Sequence, residues 1–175
     1  MSPVLFVAHS DEWMSARVRR WTPPPWFEAG MIAFTRLGDG WVWIAVLLTG
    51  AGADHGPGRA IAETAAAIVV VNAAQVALKR AFRRSRPAVP LASSSRRVVA
   101  APDPFSFPSG HTMNAFAVAV LVTVHLPPAA PWAFAVASGV GASRVVLQLH
   151  YPSDVAAGAA CGSVLAAILA AVLGG

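Results

Sequence analysis

Five apolar stretches run along this chain, separated by polar or Gly/Pro-rich connections. The first, Met31 to Gly50, is interrupted by Arg36 and by Gly38-Asp39-Gly40. Crossing a bilayer takes about 20 apolar residues, so Trp41 to Thr49 alone is too short, and a crossing is expected over roughly residues 29–50. The second stretch, residues 59–80, is rich in Ala and Val and holds Asn72 and Gln75, two amides expected to hydrogen-bond between helices. Gly110 to Leu126 is the third and is stopped by Pro127-Pro128; Pro131 to Leu149 is the fourth. The fifth, Ser153 to Leu173, carries Gly158-Ala-Ala-Cys-Gly162, a small-residue spacing that lets helices approach closely. The pattern predicts an all-α integral-membrane bundle of about five transmembrane helices, forming a single domain over residues 1–175.

The connections differ in character. Residues 1–28 mix Trp13, Trp21 and Trp26 with Arg17, Arg19 and Arg20, a combination typical of a segment at the lipid interface; a loosely ordered tail is the alternative. Gly50 to Gly58, with Asp54, His55 and Pro57, reads as a loop in which His55 is solvated. Residues 81–108 form the one long polar connection, with Ser93-Ser94-Ser95 and five prolines, and a loop of that length suits an active site. Counting crossings puts this loop, the start of the third helix and the 149–153 turn on one face of the membrane.

Composition agrees with the membrane reading: 56% of residues are hydrophobic and only 12% charged, about half the charged share of a soluble domain. The net charge of +5 is concentrated, because seven of the 13 Lys and Arg lie in residues 79–97. Such a cluster suits phosphate, nucleic acid or anionic lipid, and no recognition module accompanies it that would favour nucleic acid. Cys161 sits in an Ala-rich run and reads as packing. Met1 to Ala8 is too short, and lacks the basic start, for a cleavable signal peptide.

Three polar clusters border the apolar runs, where unpaired polar groups are costly and so become functional candidates. In Lys79-Arg-Ala-Phe-Arg-Arg-Ser-Arg86-Pro87, Lys79 and Arg86 would share a helix face if the helix continued, and would clamp a phosphate; Arg80, Arg83 and Arg84 read as a basic collar at the membrane edge. In Pro108-Ser109-Gly110-His111, a helix start offers backbone N–H groups to an anion, the Ser109 hydroxyl can cap or donate, and His111 can give up a proton. In Ser143-Arg144-x5-His150-x3-Asp154, Ser143 and His150 fall two turns apart, Arg144 adds a third cation, and Asp154 can fold back past Pro152 to the imidazole. A carboxylate on one ring nitrogen leaves the other nucleophilic. A metal on His111, His150 and Asp154 is disfavoured by the surrounding cations, so no metal and no cofactor is expected.

These three clusters, in this order, resemble the motifs of the type 2 phosphatidic acid phosphatase superfamily, which also contains bacterial acid phosphatases and vanadium haloperoxidases. They span residues 79–154 without departure at any motif position. The resemblance implies a membrane lipid phosphatase working through a phosphohistidine. It makes His150 the nucleophile, Asp154 its orienter and His111 the general acid and base, with Lys79, Arg86, Arg144, Ser109 and Gly110 holding the phosphoryl oxygens. His9 and His125 have no place in the pattern and read as structural or surface. A haloperoxidase-like oxidoreductase and a non-catalytic lipid transporter are the rival classes.

Expected partners are a lipid phosphate or diphosphate and the surrounding membrane lipids. Undecaprenyl diphosphate, phosphatidic acid and phosphatidylglycerol phosphate are the candidates, the first favoured by likeness to small bacterial members. With five crossings the N-terminus shares the face of the site. The positive-inside tendency places that face in the cytoplasm, and the family's cell-wall members place it outside; a bacterial inner membrane is expected in either case.

Overall fold

The computed structural model describes residues 3–39, 57–87 and 103–174. The second half of the first expected crossing, residues 50–56 of the expected Gly50–Gly58 loop with His55, and the Ser93-Ser94-Ser95 portion of the 81–108 loop lie outside the described residues; Pro57 and Gly58 open a helix instead. What is described is helical: α1 (Pro3–Arg20), α2 (Pro25–Leu37), α3 (Pro57–Phe82), α4 (Gly110–His125), α5 (Ala130–Val146) and α6 (Pro152–Gly174), with a 3-10 turn at Pro127–Ala129. Prolines open these helices because the first turn has no intrahelical use for their missing N–H: Pro25 begins α2, Pro131 stands in the first turn of α5, and Pro152 begins α6 as expected.

α4 is the centre of the bundle, packed against α3, α5 and α6, while α2 lies on α5 and α1 on α6 and α5. One face of α4 joins α5 through Ala115, Val118, Ala119, Val122, Ala133, Ala137 and Val140. Another joins α3 and α6 through Met113, Ala117 and Leu121 against Ala67, Val71 and Ala166. Lipid offers no hydrophobic drive between helices, so close packing of small side chains must hold such a bundle together. A Cβ at Gly162 would fall 2.1 Å from the Met113 carbonyl oxygen, and one at Gly158 2.7 Å from that of Ser109. The Gly158/Gly162 spacing is thus the notch into which the start of α4 fits.

Two helices, Gly58–Phe82 and Pro152–Leu173, are long and apolar enough to cross a membrane, with mean hydropathy 1.7 and 2.2. Only 22% and 17% of those apolar windows are buried, whereas the core helix of a soluble protein is mostly buried. Val69, Val76, Val164, Ile168 and Val172 accordingly stand on the outside. α4 and α5, of 16 and 17 residues, are shorter, roughly 24 and 26 Å long.

The N-terminal segment is no loose tail. α1 buries Asp11 and Ser15 and leaves Phe6, Trp13 and Met14 exposed. Its tie to the bundle is polar: Asp11 accepts from the Ser153 N–H at 3.0 Å, and Tyr151 donates its hydroxyl to Glu12 at 2.6 Å.

Candidate active site

The last turn of α3 delivers Lys79, and there the helix stops at Phe82; Arg83 takes a left-handed φ of 48°. Lys79 and Arg86 therefore do not share a helix face, contrary to the expectation from their spacing. They meet because the chain turns back: Ser85 forms an isolated antiparallel bridge with Phe105, which brings Asp103 between the two cations. Lys79 Nζ lies 2.9 and 2.8 Å from the two Asp103 carboxylate oxygens. Arg86 donates through Nε to the Asp103 carbonyl at 2.9 Å and through Nη2 to its carboxylate at 3.3 Å. Burial pushes the Asp103 carboxyl up, but the Lys79 hydrogen bond, the charges of Lys79 and Arg86 and the Phe105 N–H outweigh it and hold the group below its usual range.

Ser109 stands at the N-cap of α4 without capping it through its side chain. Its hydroxyl is fully buried and accepts from Thr112 at 2.9 Å, and its N–H donates to the Asp154 carbonyl at 3.0 Å. Gly110 follows, so tight against α3 that a Cβ would fall 2.3 Å from the Gln75 amide. His111 Nε2 faces Asp39 Oδ1 at 3.2 Å, and a Cβ on Gly38 would sit 3.1 Å from the His111 ring. The Gly-Asp-Gly break in the first apolar stretch thus places a carboxylate on the second histidine.

α5 ends at Val146, so Ser143 and His150 are not on one helical face either. Ser143 bonds back to Val140 O at 2.6 Å within its own helix. Gln148 has a left-handed φ of 56°, and the N–H groups of Leu149 and His150 both return to the Arg144 carbonyl, closing a turn that swings the imidazole inward. Arg144, 2% exposed, donates to the Thr35 hydroxyl at 2.6 Å, while its Nε has no hydrogen-bond partner.

His150 is 1% exposed. Its Nε2 lies 3.1 Å from Arg86 Nη1, and a guanidinium only donates. Nε2 therefore bears the lone pair and Nδ1 the proton, directed at Asp154 Oδ2 3.5 Å away. That separation is too long for a good hydrogen bond, and Nδ1 has no closer partner. Burial, ahead of the Arg144 and Arg86 charges, pushes the imidazole from 6.5 down to about 3 against the pull of Asp154, so the ring is neutral at ordinary pH. Asp154 itself is held by the Tyr151 N–H at 2.8 Å and by Arg84 at 2.9 Å.

A cavity of about 260 Å³ unites most of these groups: Lys79, Arg86, Gly110, His111, Arg144 and His150 all line it. Ser109 and Asp154 stand behind its wall. The remaining lining residues include Asp39, Asn72, Gln75, Asp103 and Asn114. Asn72 and Asn114 approach at 3.5 Å between α3 and α4, so these amides both bridge helices and face the cavity. Arg84 is no member of a basic collar: it makes ion pairs with Asp11 and Asp154. An imidazole nitrogen beside Arg86, a second imidazole paired with Asp39, and three cations thus face one small cavity, an arrangement able to hold and stabilise a phosphoryl group.

Residues 60–174 match the PAP2 superfamily. The chain belongs to that superfamily. Among PAP2 relatives, the decaprenylphosphoryl-5-phosphoribose phosphatase of Mycobacterium tuberculosis is 35% identical over 142 residues, covering 76% of this chain and 72% of the relative. The transmembrane PAP2 type phosphatidylglycerolphosphate phosphatase of Bacillus subtilis superposes with a TM-score of 0.71 at 25% identity, over 95% of this chain and 85% of that one. Aquifex aeolicus LpxE superposes equally well, TM-score 0.71 over 94% of each chain, at 23% identity, which speaks for the fold. This PAP2 protein is a membrane lipid phosphatase.

Proposed function

We propose that this phosphatase removes a terminal phosphate from a polyprenyl-linked lipid by way of a phosphohistidine on His150. The observation that carries the reading is the orientation of His150: Nε2 toward the cavity beside Arg86, Nδ1 toward Asp154. Nε2 attacks phosphorus, the bond to the leaving oxygen breaks, and His111 supplies that oxygen with a proton. His111 then takes a proton from the water that attacks the phosphohistidine, releasing inorganic phosphate and restoring both histidines. Lys79, Arg86 and Arg144 neutralise the phosphoryl oxygens at the cavity wall, with the Gly110 N–H at the start of α4. Arg86 rests on the nucleophile itself, so it must exchange His150 Nε2 for a phosphoryl oxygen when substrate enters. Ser109 acts from behind, by fixing the start of α4 and bonding to Asp154.

The polyprenyl carrier is supported by the relative named as a decaprenylphosphoryl-5-phosphoribose phosphatase; undecaprenyl diphosphate shares that kind of tail. We place the enzyme in the cell membrane as a multi-pass protein, with α3 and α6 as full crossings and the cavity at the end where Lys79 and His150 meet.

Two measurements test this. Rapid quenching with a ³²P-labelled substrate should trap an acid-labile, base-stable phosphoenzyme that is absent from His150→Ala, without added divalent metal. Phosphate release from a panel of decaprenylphosphoryl-5-phosphoribose, undecaprenyl diphosphate, phosphatidylglycerol phosphate and phosphatidic acid should be fastest on a polyprenyl member. Full turnover by His150→Ala would refute the nucleophile, and preference for a glycerolipid would refute the carrier.

A further inference from the structure

Behind the cavity wall lies a second charged cluster in which no group lines the cavity. At its centre is Arg84, whose Nη1 donates to Asp154 Oδ1 at 2.9 Å and to the Ser153 hydroxyl at 2.6 Å. Its Nη2 donates to Asp11 Oδ2 at 2.7 Å, and its guanidinium carbon lies 4.2 Å from the centroid of the Tyr151 ring. The Ser153 hydroxyl also bonds to Asp11. Asp154 is fully buried and Asp11 is 3% exposed. Two buried carboxylates thus share one forked cation, and each would be expensive to leave unpaired.

The arrangement divides the work of the Asp154 carboxylate. Oδ2 faces the Tyr151 N–H and His150 Nδ1; Oδ1 faces Arg84. Arg84 thereby sets the rotation of the carboxylate that presents Oδ2 to the imidazole. It is the only Arg or Lys paired with Asp154 among the described residues. A fork of this kind needs both carboxylates in place, since one carboxylate can turn the guanidinium toward itself. The second comes from α1, and Glu12 of the same helix holds the Tyr151 hydroxyl, which fixes the ring over which Arg84 lies.

We propose that Arg84 is a positioning residue for the His150–Asp154 pair, and that α1, through Asp11, holds Arg84 in that role. The proposal rests on the reading of His150 as nucleophile. Since Arg84 does not line the cavity, its loss slows phosphoryl transfer without weakening substrate binding.

The test is steady-state phosphate release from decaprenylphosphoryl-5-phosphoribose by the full chain in detergent, with melting temperature measured in parallel. Arg84→Gln should lower kcat about 30- to 300-fold with KM changed less than about threefold, and Arg84→Lys should recover part of the loss by restoring charge without the fork. Asp11→Asn should lower kcat about 3- to 30-fold, and in the Arg84→Gln background it should add less than about twofold, because both act through one carboxylate. A kcat for Arg84→Gln within threefold of the native value, a loss that appears in KM instead, or independent multiplication of the two effects overturns the proposal. Should Arg84→Gln fail to fold, Asp11→Asn carries the same split, and unchanged kcat there overturns it equally. His150→Ala separates the two levels: full activity in that variant removes the nucleophile reading, whereas an inactive His150→Ala beside an unimpaired Arg84→Gln removes only this inference.

Discussion

The two ends of the bundle use the same chemical groups for opposite purposes. At the end away from the cavity, Glu63 of α3 binds His125 at 2.8 Å through one oxygen and Arg59 at 2.9 Å through the other. Arg59 also donates to the Leu173 carbonyl at 2.8 Å, so α3, α4 and α6 are tied together there. That cluster consumes its own polar atoms. At the cavity end the His150–Asp154 contact is long, at 3.5 Å, Nε2 meets the Arg86 guanidinium at 3.1 Å, and Arg144 Nε has no partner. A histidine–carboxylate pair is structural when it closes on itself, and available for chemistry when one ring nitrogen is left facing open volume.

The difference is open to direct attack. His150→Ala should reduce phosphate release at least about 1,000-fold while moving the melting temperature little; comparable activity in this variant would erase the contrast between the ends. Arg86→Ala, which removes a guanidinium from the cavity, should raise KM about 10- to 100-fold, the worth of a charge-assisted contact of about 1.5–3 kcal/mol. At the far end, His125→Ala should leave kcat within about threefold and cost roughly 1–3 kcal/mol of stability, because it leaves the buried Glu63 short of a partner; a large kcat effect would show that this end is not merely structural. Asp103→Asn should tighten inhibition by inorganic phosphate by about 2- to 5-fold, since an exposed-edge carboxylate no longer competes for Lys79 and Arg86.

The remaining effect is in pH. His150 is held near 3, well under the 6.5 it would have unfolded, first by burial and then by the nearby cations. Between those values the unfolded chain binds a proton that the folded protein refuses, so stability falls as pH drops through that window, by up to about 1.4 kcal/mol per pH unit. Above 6.5 neither state is charged and the contribution vanishes. The melting temperature of His150→Gln should therefore decline less steeply from pH 6.5 to pH 4 than that of the native protein. An unchanged slope in His150→Gln would mean that burial of His150 does not set it.

Much of this was legible in the chain. The apolar runs gave the helices beyond residue 57, and the spacing of three polar clusters named every motif group that lines the cavity. What the spacing misjudged was the route by which they meet. Lys79 and Arg86, like Ser143 and His150, are seven apart, which suggests a shared helix face, yet each pair is parted by a helix end with a left-handed residue, Arg83 or Gln148. Periodicity sees helices and is blind to where a turn redirects the chain. Of the partners that came as additions, Asp11, Thr35 and Asp39 lie far from the motifs in sequence and are recruited by packing, while Asp103 stands shortly before Pro108. A signal existed for one of them: Asp103 is one of only two acidic residues after Glu63, in the same 81–108 loop as most of the basic cluster. Arg84 was read as one arginine among several, because its two carboxylates stand 73 and 70 residues away.

The contact of Gly110 with Gln75 has a consequence for depth. Gln75 lies seven residues before the end of α3 at Phe82, about 10 Å down the helix axis. The cavity floor is thus sunk by about that distance beneath the end of α3. One glycine, by letting α4 start against Gln75, sets how far below the end of α3 the cavity opens.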